Sequence, residues 1–416
     1  MEFGDLFQEN INRKRLKETD QVVFIGMQDV NENAIIKTFT KLNYSQVKSG
    51  FTYFEKNDVL VAKITPCFEN GKGGFANNIP TDVGFGSTEF HILRAKEHVD
   101  PRYVYYQTKR PRFRNELEGE MVGSAGHRRV PLASIRKFEL ETDHSKEEQT
   151  AIANALSDVD ALITSLEKLI TKKRAIKTAA MQQLLTGKKR LPPFDKNHIG
   201  YKQTELGEIP EDWEVSELSK FVGALDAGIS VNSVENKAAF GHGKAILKTS
   251  CIADGYFYPD KAKGIIPKDV GRARLNPKKG NIIISRMNTP DLVGEIGYID
   301  NDYDDLFLPD RLWQTKYISG VKVCGRWLAF MLNYPDVANQ IKESATGTSN
   351  SMKNISKGSL LSTLLLSPPF EEQEAIAEVI SSMDKELEKL EQRLNKTQQL
   401  KQGMMQELLT GKTRLV

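Results

Sequence analysis

Cysteine is nearly missing from this chain. Cys67, Cys251 and Cys324 are scattered and form no CxxC pair. That argues against a thiolate metal site and for a reducing compartment, so a cytoplasmic protein is expected. No apolar run reaches membrane length, and the opening MEFGDLFQENINRKRLKETD is polar rather than a signal peptide, so no membrane association is expected. Net charge is only +3, which excludes an overall polybasic character. The six histidines (His91, His98, His127, His144, His198 and His242) show no HExxH or other ligand spacing.

What is present is a repeat. Glu147-Glu148-Gln149-Thr150-Ala151-Ile152-Ala153 through Leu184-Leu185-Thr186-Gly187-Lys188 returns as Glu371-Glu372-Gln373-Glu374-Ala375-Ile376-Ala377 through Leu408-Leu409-Thr410-Gly411-Lys412. The offset is 224 residues at both ends, without a gap. Acidic residues suit the positive end of a helix dipole, and Gly suits the left-handed residue that ends a helix. Between them Ile152, Leu156, Val159, Ile163, Leu166 and Ile170 are spaced 4, 3, 4, 3, 4, as are Ile376, Ile380, Met383, Leu387, Leu390 and Leu394. This is a heptad seam, and two matching seams in one chain most simply pack on each other. The seam then meets Lys173, Lys177, Thr397 and Lys401, and the apolar row passes to Ile176 and Leu400, which reads as a local stutter. Each helix of about 35–40 residues spans about 55–60 Å. Lysine and arginine crowd the ends of both repeats, from Lys168 to Arg190 and from Arg393 to Arg414, a pattern that suits phosphates or an acidic partner as well as a solvated face.

The rest of the chain repeats as well. Residues 1–143 read as a mixed α/β domain with β-like runs at Val22–Ile25, Val59–Ala62 and Phe90–Leu93, a helix start at Asp100-Pro101, and an extended stretch from Ile135 to Thr142. A long helix occupies 144–191, a second domain 192–368, and a second long helix 369–416. The second domain sets Ile282-Ile283-Ile284-Ser285-Arg286 where the first has Val59-Leu60-Val61-Ala62-Lys63, and the loop Gly347 to Lys353 where the first has Gly123 to Arg129. Plan is shared while loop sequence is not, as expected if the loops carry specificity. The fold expected is therefore α/β (mixed α+β): two globular domains in tandem, each followed by a long helix, the helices pairing as an antiparallel coiled coil.

With EEQxAIA opening and LLTGK closing each helix, an Ile209-Pro210-x-x-Trp213 domain entry, and a Gly-Thr-Ser-like loop ahead of each helix, the chain resembles the specificity subunits of type I restriction–modification systems over essentially its full length. It departs from the family at the start, where the first domain opens at Phe3-Gly4-Asp5-Leu6 without the Ile-Pro-x-x-Trp entry. The resemblance implies that each globular domain is a target-recognition domain reading one half of a split double-stranded DNA site, and that the helix pair is a spacer acting as a ruler. It implies docking of two DNA adenine methyltransferase subunits, with restriction/translocase subunits completing the holoenzyme. S-adenosylmethionine, ATP and magnesium belong to those partners, and no cofactor is expected in this chain.

Arg and Asn suit base edges, whereas Lys, Ser and Thr mostly hold phosphates. The candidate DNA-binding residues are Lys63, Thr65, Ser124, His127, Arg128 and Arg129 in the first domain. In the second they are Lys248, Arg286, Asn288, Arg311, Ser349, Asn350 and Lys353. The cluster Lys109-Arg110-Pro111-Arg112-Phe113-Arg114 reads as a phosphate-facing patch or a solvated helix end. No catalytic residue is expected. Gly411-Lys412-Thr413 has Gln406 where a phosphate loop needs Gly. Pro192-Pro193-Phe194 and Pro368-Pro369-Phe370 follow Leu191 and Ser367 rather than the Asn or Asp of an amino-methyltransferase motif. Gly84-Phe85-Gly86 and Gly241-His242-Gly243 lack the rest of a dinucleotide fingerprint. The competing readings are a scaffold that binds protein rather than DNA, and a specificity subunit serving a phage-defence methyltransferase without a nuclease. Loops rich in Gly, Ser, Asn, Arg and Lys disfavour the scaffold, which needs exposed apolar anchors.

Overall fold

The computed structural model describes residues 1–124, 126–195, 200–349 and 352–415. The chain divides into two compact units, one comprising Met1–Leu169 with Leu390–Val416, the other Ile170–Lys389. Both boundaries fall inside the long helices, so each unit holds one globular domain together with a segment of each helix.

In the first unit, the strands Thr40–Asn43, Gln21–Ile25, Val83–Gly86 and Thr52–Glu55 form one sheet in that order, and Gly73–Phe75, Val59–Ala62 and Phe90–Leu93 form a second. Helices α1 (Pro101–Thr108), α2 (Pro111–Gly119) and α3 (Leu132–Lys137) follow, then α4 (Lys146–Leu184). Asp100 caps α1 by accepting from the Arg102 amide at 2.9 Å, with Pro101 at the first turn. The expected extended stretch from Ile135 begins instead inside α3. Pro131 precedes that helix and the side chain of Ile135 is fully buried, so packing of one face overrides the β-branched propensity.

The second unit has a four-stranded sheet ordered Val222–Ala227, Leu312–Tyr317, Ile282–Ser285 and Ile296–Tyr298. A second runs Ser233–Val234, Ala262–Ile265, Ala245–Leu247 and Leu306–Phe307. Helices α5 (Gly325–Leu332), α6 (Pro335–Glu343) and α7 (Lys357–Leu361) lead to α8 (Phe370–Leu408). The bounds of α5, α6 and α8 lie 224 positions after those of α1, α2 and α4. Among the described residues no helix is long and apolar enough to cross a membrane.

The repeated motifs close the helix ends. The glutamine of each EEQ ties the helix to the domain before it. Gln149 accepts from the Asp100 amide at 3.1 Å and donates to the His144 carbonyl at 2.8 Å. Gln373 accepts from Cys324 and donates to Pro368, each at 3.0 Å. The preceding glutamate grips an arginine just beyond the other helix. Glu148 receives Arg414 at 2.5 and 2.6 Å, and Glu372 receives Arg190 at 2.9 and 2.6 Å. Gly187 and Gly411 end the helices at φ +70° and +73°; a Cβ on Gly187 would lie 2.6 Å from Pro210, so space as well as backbone demands glycine there. Leu184, Leu185, Ile376 and Ile380 join Trp213 and Trp327 in the core of the second unit. Leu408, Leu409, Ile152 and Leu156 join Tyr103 and Phe113 in that of the first. Each such leucine contributes about 2 kcal/mol of burial.

The helices pack along the expected seam, with Ile152, Leu156, Leu166, Ile170, Ile376, Ile380 and Leu387 buried. The stutter is absent. Ile176 and Leu400 are 44% and 58% exposed, while Thr397 is buried and Lys173, Lys177 and Lys401 stay half-buried in register. Ionic contacts take over from apolar ones: Lys177 meets Asp384 at 2.5 Å, and Lys401 meets Asp160 at 2.6 Å, again 224 residues apart. Lysine stems continue the apolar surface and their heads find carboxylates, so the row need not shift.

The two glutamate clasps differ. Arg190 and Glu372 are 8% and 1% exposed, and Glu372 also accepts from the Trp213 indole at 2.9 Å. In the other clasp Arg414 is 49% exposed and Glu148 9%. Arg190→Ala therefore leaves a buried unpaired carboxylate and is expected to cost about 3–5 kcal/mol. Arg414→Ala is expected to cost much less, because water replaces the guanidinium. Chemical denaturation of the two variants checks this, and equal losses would contradict it.

Candidate nucleic-acid interface

The loop residues singled out from the sequence are built onto the same ribbon in each unit. In the first, the Lys63 amide donates to the Glu89 carbonyl at 2.9 Å, and the Lys63 carbonyl accepts from Val130 at 2.9 Å. Ile64 then bridges Arg129, and the Thr65 amide donates to Arg128 at 2.9 Å. Val122 and Arg129 exchange both amide bonds, at 3.0 and 2.8 Å, closing the hairpin that holds the small-residue loop.

The second unit repeats each bond. The Arg286 amide donates to the Arg311 carbonyl at 3.1 Å, and the Arg286 carbonyl accepts from Ile355 at 2.9 Å. Met287 pairs with Asn354, Asn288 with Lys353, and Thr346 with Asn354. By these bonds Lys63 corresponds to Arg286, Thr65 to Asn288, Glu89 to Arg311 and Arg128 to Lys353. The second hairpin is one residue longer than a plain offset of 224 allows, so Lys353 stands where Arg128 does, not where Arg129 does. Both hairpins carry a glycine at positive φ one residue after the paired Val122 or Thr346, Gly123 at φ +129° and Gly347 at φ +152°. A Cβ there would press on the carbonyl of His127 at 2.8 Å or Met352 at 2.6 Å.

The side chains differ where the backbones agree. In the first unit the cations are tied to carboxylates. Arg129 grips Glu89 with two bonds of 2.9 and 3.0 Å and holds its carboxyl below the usual range. Arg128 lies 3.5 Å from Glu69 and 4.0 Å from Glu118, and Thr65 donates to Glu69 at 2.7 Å. Lys63 is half-buried; Ser124 and His127 are exposed. In the second unit Arg286 is held over the Trp313 ring at 5.7 Å, its buried Nε without a hydrogen-bond partner among the described residues. The buried Trp313 Nε1 and Asn354 Oδ1 are likewise unpartnered. Asn288 accepts from the Thr289 amide at 2.9 Å and donates to Ser285 at 3.3 Å, Lys353 donates to Gly347 at 3.2 Å, and Arg311 is exposed. A guanidinium attracted to an indole face is restrained, and restraint favours bidentate recognition.

The model of the type I restriction modification DNA specificity domain matches residues 1–178. The specificity subunit of the type I restriction enzyme EcoEI of Escherichia coli is 22% identical over 439 residues, covering 86% of this chain and 72% of that protein. That of MjaVIII of Methanocaldococcus jannaschii is 28% identical over 349 residues, covering 79% of this chain and 74% of that one. Residues 1–178 thus match the specificity-domain family, and the chain is similar to type I specificity subunits over most of its length. Its fold matches the crystal structure of a type I restriction–modification S subunit from M. genitalium with a TM-score of 0.58 at 14% identity, over 98% of this chain and 95% of that one.

Not every candidate falls on the ribbons. Lys248 directly follows the strand Ala245–Leu247, where it and Lys263 clamp Glu235 at 2.5 and 2.7 Å and push its carboxyl down to about 2. Ser349 ends the strand Thr346–Ser349, and Asn350 lies outside the described residues. The basic cluster after α1 is neither a patch nor a solvated end. Arg110 is buried against Glu141, and Arg114 is buried on Phe68 and Phe113, donating to the Phe68 carbonyl at 3.1 Å. Burial pushes Arg114 down to about 10. The signal was available in the spacing, since Arg110 and Arg114 sit four residues apart beside Phe113. The sequence carries no signal for Glu69, Glu89 and Trp313, which are not themselves DNA-binding candidates but orient the groups that are.

The Glu89–Arg129 pair has a pH signature. Its stabilisation is present above the unfolded carboxylate pKa of about 4.3 and is lost as pH falls through the depressed folded value. An NMR titration is expected to place the Glu89 carboxyl below the ordinary range, and to return it there in Arg129→Ala; an unmoved midpoint contradicts the pairing.

Proposed function

We propose that this specificity subunit is the DNA-recognition component of its type I complex, each unit reading one half of a bipartite double-stranded site. The observation that carries the reading is the pair of ribbons: the backbone pairings repeat, while Lys63, Thr65, Arg128 and Glu89 are replaced by Arg286, Asn288, Lys353 and Arg311. A frame kept constant under changed side chains is what two different half-sites demand. Arg286 pairs with guanine O6 and N7, Asn288 with adenine, and Lys353 with phosphate. In the first unit Thr65, Ser124, His127 and Arg128 meet DNA, with Lys63 on the backbone. Arg129 contributes once Glu89 releases it. Lys248, Arg311, Ser349 and Asn350 complete the set in the second unit.

In this reading the residues 1–143 and 192–368 are the recognition domains, and the paired helices, 144–191 and 369–416, set the half-site separation as rigid spacers do. The helices dock two methyltransferase subunits, and restriction/translocase subunits join through them, all in the cytoplasm. The chain itself is non-catalytic. Methylation and cleavage, with S-adenosylmethionine, ATP and magnesium, reside in those partners.

Fluorescence anisotropy of the chain, co-purified with its methyltransferase, on duplexes carrying its split site tests this. Affinity is expected to fall steeply with salt, by roughly 0.9 log units per log unit of salt for each phosphate contact. Arg286→Ala is expected to lose about 1–3 kcal/mol of discrimination at one base of one half-site and none in the other half. A salt-independent affinity, or an equal loss in both halves, overturns the reading.

A further inference from the structure

The ion pairs at the two ends of the helix seam sit in different surroundings. In the second unit Asp384 is completed by a hairpin of the same chain. The strands Ile252–Ala253 and Tyr256–Phe257 are joined through Asp254 and Gly255, both at positive φ, +52° and +81°. The Tyr256 hydroxyl donates to Asp384 at 2.7 Å and accepts from Lys177 at 3.0 Å. The turn rests on Asn333: a Cβ on Gly255 would lie 3.3 Å from its amide carbon. Asn333 is fixed in turn by bonds to Ala329 and Ile296 at 2.9 and 3.3 Å.

At the positions 224 residues earlier, Tyr105 replaces Ala329, Tyr106 replaces Phe330 and Lys109 replaces Asn333. The Tyr106 hydroxyl makes the bond to Asp160, at 2.9 Å, that Tyr256 makes to Asp384. Where the hairpin sits in the second unit, the first has a cleft of about 420 Å³, lined among others by Lys37, Phe39, Asn77, Arg102, Tyr105 and Lys109. Its charges do not balance. Asp160 is matched by Lys401 and Arg102 by Asp100, at 2.6 and 2.7 Å. Among the described residues no carboxylate pairs with Lys37 or Lys109; the Lys109 ammonium is held by the Tyr105 hydroxyl at 3.1 Å and over its ring at 4.9 Å. At the rim Ile35 and Phe39 are 48% and 39% exposed.

We propose that this cleft receives an acidic turn of the methyltransferase subunit, its carboxylate against Lys109 and Lys37 and its apolar neighbour against Ile35 and Phe39. The second unit shows the class of occupant, since it fills the same place with a polypeptide turn. The exchange of Asn333 for Lys109 gives the sign of the charge that turn must carry. Burial lowers the pKa of both the Lys109 and Lys401 ammoniums, and the Lys109 charge lowers that of Lys401 further, so an incoming carboxylate relieves a standing excess of positive charge. The first unit is thereby marked off from the second by its own docking contact.

The inference rests on the reading that the chain assembles with a methyltransferase. The test places the photo-crosslinker p-benzoylphenylalanine at Phe39 in the co-purified complex, whose assembly is checked by size-exclusion chromatography with light scattering. An adduct to a methyltransferase peptide with Asp or Glu within a few residues of the linked position is expected. K109E is expected to cut its yield at least tenfold, and K109N by less. Adducts only within this chain or to a second copy, or a yield indifferent to K109E in an intact complex, overturn the docking contact. Failure to assemble at all in the parent protein overturns the functional reading, and the docking contact with it.

Discussion

A carboxylate at the start of each long helix, gripping an arginine just beyond the end of the other, is the contact on which both units depend. Glu148 with Arg414 and Glu372 with Arg190 fix where the antiparallel helix segments meet, and the glutamine next to each carboxylate fixes where the domain helix begins. Everything toward the loops inherits its position from those ties. The domain helices α1 and α5 pack against the same helix starts, and the hairpins at Gly123 and Gly347 hang between the domain sheet and the last short helix. An ion pair alone is a weak source of stability; here it acts as a register mark, with the leucine pairs 184–185 and 408–409 supplying the burial around it.

The frame was legible because its parts are local and repeated. EEQ and LLTGK recur at a constant spacing, the seam has a heptad period, and Asp100-Pro101 and the valine- and isoleucine-rich runs announce α1 and the central strands. Where sequence reading went astray, a tertiary contact outweighed a local pattern. Ile176 and Leu400 looked like a shifted seam, but Lys177 and Lys401 keep the original one by reaching Asp384 and Asp160. Arg110 and Arg114 looked solvated because the residues that bury them, Glu141 and Phe68, are distant in sequence. The candidate site was half legible. Matching the runs that end in Lys63 and Arg286 paired those two residues correctly, yet it could not reveal the extra residue in the second hairpin, nor the carboxylates and the indole that orient the cations.

The two units divide constancy from change along a physical line. Groups that meet inside the helix segments and domain cores are kept, as with Gln149 and Gln373 or Asp160 and Asp384. Groups on the ribbons change in size and even in sign, Glu89 giving way to Arg311. The first unit binds its ribbon arginines to internal carboxylates; the second holds its arginine over an aromatic ring, with a buried nitrogen unpaired among the described residues. Different cations in different restraint on one backbone frame make two different candidate surfaces, which in the proposed function are two readers rather than one reader twice.

The most direct test of that claim is to replace residues 1–143 with the corresponding domain of another specificity subunit, co-express the chimera with its methyltransferase, and map methylated adenines by long-read sequencing. The account predicts a split motif in which one half changes while the other half and the gap between them stay as in the parent. A motif that changes in both halves, or one that does not change at all in an intact complex, would contradict it.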